Sequence, residues 1–241
     1  MTATFEIEAA ARSDVGRERE NNEDRLLVVE PGEHDTGWIL CVADGMGGHP
    51  AGEEASQRVV DLVSGFPREE DLPPATGDRA VHLARALAST FERAHAEVLE
   101  IGKKDREKFG LGTTVVAAQI VGHSLHVFHC GDSRAYLLRD DTLEQLTSDH
   151  VVVEGGIRYL AAHVGMPEGF VLEQGTRQLE PGDRILVCSD GLTDMVPAEV
   201  FGLALHEAPD PEQAVLTLVE MANLAGGLDN VSCAVAFVAK S

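Results

Sequence analysis

Four aspartates stand at the ends of apolar runs. Asp44 follows ILCVA, Asp132 follows HVFHCG, Asp190 follows RILVCS, and Asp229 precedes NVSCAVAFV. Glycine, serine or asparagine flanks each of them. An Asp-Gly pair taken alone is a turn signal, because both residues tolerate positive φ. Here, however, Asp44-Gly45-Met46-Gly47-Gly48 leads into a helical pattern and not a return strand, and Asp190-Gly191 does the same. Four carboxylates at strand ends are four charges brought toward a core, and burying even one without a partner costs roughly several kcal/mol. Few cationic side chains neighbour them in sequence, Arg134 being the nearest. Hard divalent cations answer that cost. Carboxylate, carbonyl and water oxygens suit Mg²⁺ or Mn²⁺, and glycine beside an aspartate lets a backbone carbonyl approach an ion closely. No His-x-x-x-His spacing or cysteine pair argues for zinc. The loop at 44–48 therefore reads as a metal holder, and the metal as the phosphate holder.

The stretch SDVGRERENNEDRL supplies a second constellation. Arg19 lies five residues before Asp24, with Glu23 between. A guanidinium matches phosphate oxygens with two parallel hydrogen bonds. A surface ion pair is the plain alternative for any such arginine.

These residues need strands to aim them. Short β-branched runs bounded by Gly, Asp or Pro predict strands at 25–30, 38–43, 112–121, 124–130, 134–139, 170–178, 184–189 and 231–238. A hairpin turn is expected around Gly122–Ser124. Apolar spacing near 3.6 predicts helices at 51–64, 78–101 and 211–225, with a shorter one near 197–206, and 65–77 reads as a loop. Strands outnumber helices and hairpins dominate. That pattern argues for an α+β protein of antiparallel sheets with helices packed outside, not a doubly wound parallel sheet.

Length and composition set outer bounds. At 241 residues with 44 % hydrophobic residues, the chain is expected to form a single domain over 1–241 with a sizeable core. Acids outnumber bases 41 to 19, for a formal charge of −22. Such a field repels nucleic acid and anionic membrane. Cys41, Cys130, Cys188 and Cys233 all lie in or beside strand-like runs, which predicts buried free thiols in a reducing compartment. The first residues carry early acids and no leader-like apolar core, and no run approaches the roughly 20 apolar residues that span a bilayer. A cytoplasmic location without membrane attachment is the expectation.

Seven motifs in order then resemble one family. They are SDVGRERENNED at 13–24, VADGMGGHPAGE at 42–53, GTT at 112–114, GDSRAYL at 131–137, LTSDH at 146–150, CSDGLTD at 188–194 and LDNVS at 228–232. Together they look like the metal-dependent Ser/Thr protein phosphatases of the PPM, or type 2C, family, in its bacterial form. The resemblance implies an α-β-β-α sandwich of two antiparallel sheets flanked by helices. It implies that Asp44 bridges two Mn²⁺ or Mg²⁺ ions, that Gly45 offers its carbonyl to one, and that Asp190 and Asp229 bind the other. Asp132 with Asp190 would form a third-metal site. Glu23 and Asp24 would order metal-bound waters, and Arg19 would grip the substrate phosphate. The implied reaction is in-line attack on phosphoserine or phosphothreonine by a hydroxide bridging the two ions, with no covalent intermediate. The implied partners are phosphorylated proteins together with a cognate Ser/Thr kinase or its targets. A catalytically silent fold used as a binding or regulatory module is the alternative, and hydrolysis of a small phosphorylated metabolite is a third reading. Other phosphatase chemistries lack their letters, since there is no Cys-x5-Arg, no Asp-x-Asp and no Gly-Lys-Ser/Thr.

The chain departs from the family pattern twice. Met46 stands where some relatives carry a histidine able to act as general acid, leaving a metal-bound water, His49 or no general acid for that role; His49 and His150 also read as structural residues. In addition, only VVVEGG (151–156) separates His150 from IRYLAAHVG (157–165). Bacterial relatives carry a flap of a few dozen residues there, and their usual Asn and Thr are replaced by Tyr159 and Ala161. The expectation is an open cleft and weak third-metal binding.

Overall fold

A computed structural model describes residues 5–240 except 33–35, 47–50, 67–71, 73–74, 76, 106–107, 109 and 169. His49 and part of the 65–77 stretch thus lie outside the described residues. The elements run β1 (Phe5–Asp14), β2 (Arg25–Val29), β3 (Trp38–Ala43), β4 (Gly45–Met46), α1 (Ala51–Ser64), α2 (Arg79–Lys104), β5 (Gly112–Thr113), β6 (Val115–Val121), β7 (Ser124–Cys130), β8 (Arg134–Arg139) and β9 (Thr142–Gln145). They continue as β10 (Val151–Glu154), β11 (Ile157–Leu160), β12 (Glu173–Gln178), β13 (Arg184–Cys188), α3 (Asp190–Thr193), α4 (Ala198–Glu207), α5 (Pro211–Leu224) and β14 (Val231–Lys240).

Two five-stranded sheets, β1-β14-β13-β8-β9 and β12-β7-β6-β3-β2, face each other, and every named pairing within them is antiparallel. Three apolar layers hold the stack. Leu40, Val42, Val116 and Ala118 of one sheet meet Ala135, Leu137, Ile185, Val187 and Ala234 of the other. Alternate residues of those strands, such as Ile39, Cys41 and Ala117, turn outward under α1 and α2, whose Val59, Leu87 and Phe91 cover them. Tyr136, Leu186 and Val235 likewise turn out under Phe201 of α4 and Leu218 of α5. A strand buried on both faces reads as a continuous apolar run, which is why ILCVA and VVAAQIV carry no alternation.

Local chemistry fixes the ends. Asp78 caps α2 by accepting from the backbone N–H groups of Ala80 and Val81, and Asp210 caps α5 from Gln213 with Pro211 at the first turn. β6 and β7 close through Gly122, whose φ of 59° suits a two-residue hairpin. All four cysteines are free and buried. Among the described residues no helix is long and apolar enough to cross a membrane.

Several elements depart from the sequence reading. β1 was not expected; its ten residues pair along β14 from Phe5↔Lys240 to Asp14↔Val231. β9 is also additional, and the strand expected at 170–178 begins at Glu173. Residues 151–160, expected only as a shortened connection, form a separate two-stranded hairpin, β10–β11. It turns at Gly155 and Gly156, both at positive φ.

Candidate metal centre and phosphate site

The strand ends converge at one end of the sandwich. Asp44 leaves β3, Asp132 lies in the crossover from β7 to β8, Asp190 opens α3 after β13, and Asp229 precedes β14. Both sheets therefore contribute. Arg19 and Glu23 come from the connection between β1 and β2, which also passes from one sheet to the other. Arg19, Glu23, Asp44, Gly45, Asp132, Asp190 and Asp229 all line one cleft of about 270 Å³, with Met46, Thr114, Leu160 and Asn230 completing its wall. Asp24 lies behind that wall and is 2 % exposed.

Asp44 is held by its backbone. The carbonyl of Asp44 accepts from Thr114 N at 2.8 Å and from Thr113 Oγ1 at 2.8 Å, while its N–H donates to Thr114 Oγ1 at 3.1 Å. Thr114 Oγ1 in turn lies 2.6 Å from Ser133 Oγ, beside Asp132. A Cβ on Gly45 would strike the carbonyl oxygen of Gly52, and one on Gly191 would strike that of Asn230. Both positions therefore exclude any larger residue, because backbone on the other side cannot give way. Ser189 Oγ donates to Asp24 Oδ2 at 2.8 Å and accepts from Ser232 N at 3.0 Å.

Sequence reasoning missed three partners. Asn230 accepts from Glu23 N at 2.8 Å and donates through Nδ2 to the carbonyls of Val15 and Asn21, both at 2.9 Å. Ser189 bonds Asp24, as above. Arg158 of the hairpin reaches Asp149 at 3.3 Å, Asp194 at 3.4 Å and Asp132 at 3.8 Å. Asn230 and Ser189 stood inside recognised motifs, but their partners are far away in sequence. Arg134, the cation nearest to Asp132 in sequence, pairs instead with Asp149 through both guanidinium arms, at 2.8 and 2.7 Å. Arg19 donates to Asp229 Oδ2 at 2.6 Å.

The electrostatics are those of a charge deficit. Burial, then repulsion from Asp24, Asp190, Asp229 and Asp132, holds the Asp44 carboxyl well above the usual carboxylate range. Burial with Asp132, Asp194 and Asp229 nearby pushes Asp190 up to about 7. Burial pushes Asp24 to about 6 despite its serine hydrogen bonds. Asp132 is raised by burial, against the pull of Arg158. One oxygen of Asp24 is buried with no hydrogen-bond partner. A site built to be protonated would not gather so many carboxylates at fixed positions. Divalent cations satisfy it, and the all-oxygen donor set is the kind that Mg²⁺ and Mn²⁺ take. Met46 lines the cleft without a proton to give. His150 does not line it; its ring lies against His129, with centroids 4.4 Å apart.

The comparisons agree with this geometry. Residues 16–221 match the family model described as Protein phosphatase 2C. The Ser/Thr protein phosphatase PstP of Mycobacterium tuberculosis is 36 % identical over 98 % of this chain, which spans 46 % of that protein. The chain thus covers about half the length of that relative. The Ser/Thr phosphatase stp of Listeria innocua is 31 % identical, with 94 % of each chain covered. The crystal structure of the PstP catalytic domain in complex with two manganese ions superposes with a TM-score of 0.79 over 98 % of this chain and 100 % of that one, at 36 % identity. PppA, described as a regulatory component of the T6SS in Pseudomonas aeruginosa, superposes at 0.83 over 98 % and 99 %, at 29 % identity. With the ordered motifs brought to one cleft and both sequence and fold matched across nearly its whole length, the chain belongs to the protein phosphatase 2C family.

Proposed function

We propose that residues 1–241 act as one domain that hydrolyses phosphoserine and phosphothreonine in proteins, using Mn²⁺ or Mg²⁺. The observation that carries this reading is the buried cluster of Asp44, Asp132, Asp190 and Asp229, short of positive charge, with Arg19 on its rim. The Asp44 carboxyl is repelled by Asp24, Asp190, Asp229 and Asp132, so it would be the carboxylate best placed to serve two ions. Gly45 would supply a carbonyl to one ion, Asp190 and Asp229 would hold the other, and Asp132 with Asp190 would take a third. Such ions, when bound, supply Lewis acidity toward phosphoryl oxygens and an activated water at neutral pH.

The chain's own groups do the rest. Arg19 has a side chain 55 % exposed and, among the described residues, pairs with Asp229 alone. Once cations neutralise Asp229, the guanidinium can turn its fork to a phosphate and neutralise charge on the equatorial oxygens. Asp24, fixed by Ser189, and Glu23, fixed through its backbone by Asn230, orient water behind the ligands. Arg158 places a cation 3.8 Å from Asp132, where it competes with a third ion and supports weak binding there. A phosphoprotein and the kinase that makes it are the fitting partners, and four buried free thiols suit a cytoplasmic setting.

The test is hydrolysis of p-nitrophenyl phosphate and a phosphothreonine peptide with Mn²⁺, Mg²⁺ or chelator, for wild type and Asp190→Asn. Turnover that needs metal and is lost in the variant is expected. No turnover by folded, metal-loaded protein on either substrate would favour a silent binding module.

A further inference from the structure

His129, His150 and Glu173 form the one group of three metal-ligating side chains containing histidine found among the described residues, and none of them lines the cleft. Topology brings them together. Glu173 opens β12 and is the register partner of His129 on β7, so the two side chains share a face as a direct cross-strand pair. His150 reaches the same point from the segment before β10, whose backbone N–H donates to the Gly131 carbonyl at 2.8 Å. One ligand atom from each side chain lies within 4.8 Å of the other two.

We propose that these three residues bind a borderline transition ion such as Zn²⁺, at a site separate from the carboxylate cluster. Two imidazoles and one carboxylate are a donor set that suits zinc far better than Mg²⁺, with water completing the coordination. His129 is prepared for this. Its Nε2 lies 2.8 Å from the Ser148 carbonyl and donates to it, leaving Nδ1 with a free lone pair. A ligating histidine commonly donates its other N–H to a carbonyl in this way. Burial also lowers the His129 pKa below its ordinary value, which keeps the ring neutral.

His150 Nε2 is buried without a hydrogen-bond partner, 3.4 Å from Glu173 Oε1. A polar atom left in that state is costly, and an ion between it and the carboxylate removes the cost. Ligation through Nε2 requires the His150 proton on Nδ1, and so gives up the 3.3 Å contact in which Nδ1 accepts from Gly131 N. That contact is long for an N–H donor, so the ion need outweigh only a weak hydrogen bond and the unpaired Gly131 N–H it leaves. Glu173, with its side chain 52 % exposed, gives the ion a path from solvent. An ion there would pin edge strand β12, strand β7 and the root of the β10–β11 hairpin to one point.

The test is a zinc titration of chelator-treated, dialysed protein in excess Mg²⁺, which fills the carboxylate cluster, read by competition with a chromophoric zinc indicator. One zinc per chain that Mg²⁺ does not displace is expected. Glu173→Gln and His150→Gln should each weaken it by at least the roughly 10- to 100-fold that losing even an outer partner of a metal ligand costs. Asp190→Asn should retain it. Glu173 is on the surface, so its variant folds even if His150→Gln does not, and circular dichroism checks both. Zinc that Mg²⁺ displaces, zinc lost with Asp190, or wild-type affinity in folded Glu173→Gln overturns the proposal.

Discussion

The floor and the rim of the cleft are built by opposite means. The floor is backbone held by backbone and by short hydroxyl side chains. Asp44 is tied on both its N–H and its carbonyl, and no Cβ fits at Gly45 or Gly191. The rim hairpin pairs only with itself and presents Val153 and Ile157 to solvent at 65 % and 58 % exposure. Arg158 anchors it through ion pairs at 3.3 to 3.8 Å, part-exposed contacts that salt screens. The floor thus fixes where charge sits, while the rim is held by weaker contacts.

Substitutions can break that contrast at either end. The largest effect is expected for Asp44→Asn, which removes the carboxylate shared by the whole cluster. If metal supplies several kcal/mol, kcat should fall by about 10³-fold or more, with the fold intact by circular dichroism. Retained turnover would mean that the floor is not the reactive part. Next, Gly45→Ala should destabilise the protein by about 3 kcal/mol, since overpacking against backbone cannot be relieved by a rotamer change. Urea denaturation reads this as a lower midpoint. Arg19→Ala should cost about 10- to 100-fold in kcat/KM for phosphopeptide, the worth of a charge-assisted hydrogen bond, with melting temperature unchanged.

A pH experiment sharpens the floor further. Folded Asp190 and Asp24 titrate near 7 and 6, above the ordinary 3.8, so the folded chain holds protons that the unfolded chain has released. Their contribution to stability is therefore favourable near pH 4 and is lost as pH rises toward 7. In chelator, Asp190→Asn should gain in melting temperature relative to wild type between about pH 5 and 8, and excess Mn²⁺ should reverse the difference. The smallest effect belongs to the rim. Ile157→Ser should change stability by no more than about 0.5 kcal/mol. It should still shift the ranking of phosphopeptides, without changing p-nitrophenyl phosphate turnover. Equal rankings would show that the hairpin is a bystander.

How much of this was legible in the sequence follows from the range of each interaction. ILCVADG and RILVCSDG announce strand and ligand together, because burial and charge sit side by side in the chain. Of the eight site residues named from sequence, seven line the cleft and Asp24 lies behind its wall. FEIEAAARSD hid β1, since its alanines and acids carry little strand propensity and only pairing with β14 decides the matter. Val151–Leu160 carried its hairpin signal in Gly155-Gly156, which was obscured by reading the segment only as a shortened flap. Asn230, Ser189 and Arg158 were out of reach because their roles are relations to residues 15–24, 24 and 132. The His129–Glu173 pair was equally hidden, being a matter of register and not of spacing.

The Asn230 link has a consequence in time. It fastens residues 15 to 23 to a side chain more than 200 positions later, and Arg19 meets Asp229 across 210. Contacts that far apart are the slowest to form, because the intervening loop must close before they return any energy. On the ribosome, neither tether can exist until the codons near 230 have been read. The cluster of ligands thus cannot be complete until residue 230 has joined the chain, however early its other members are made.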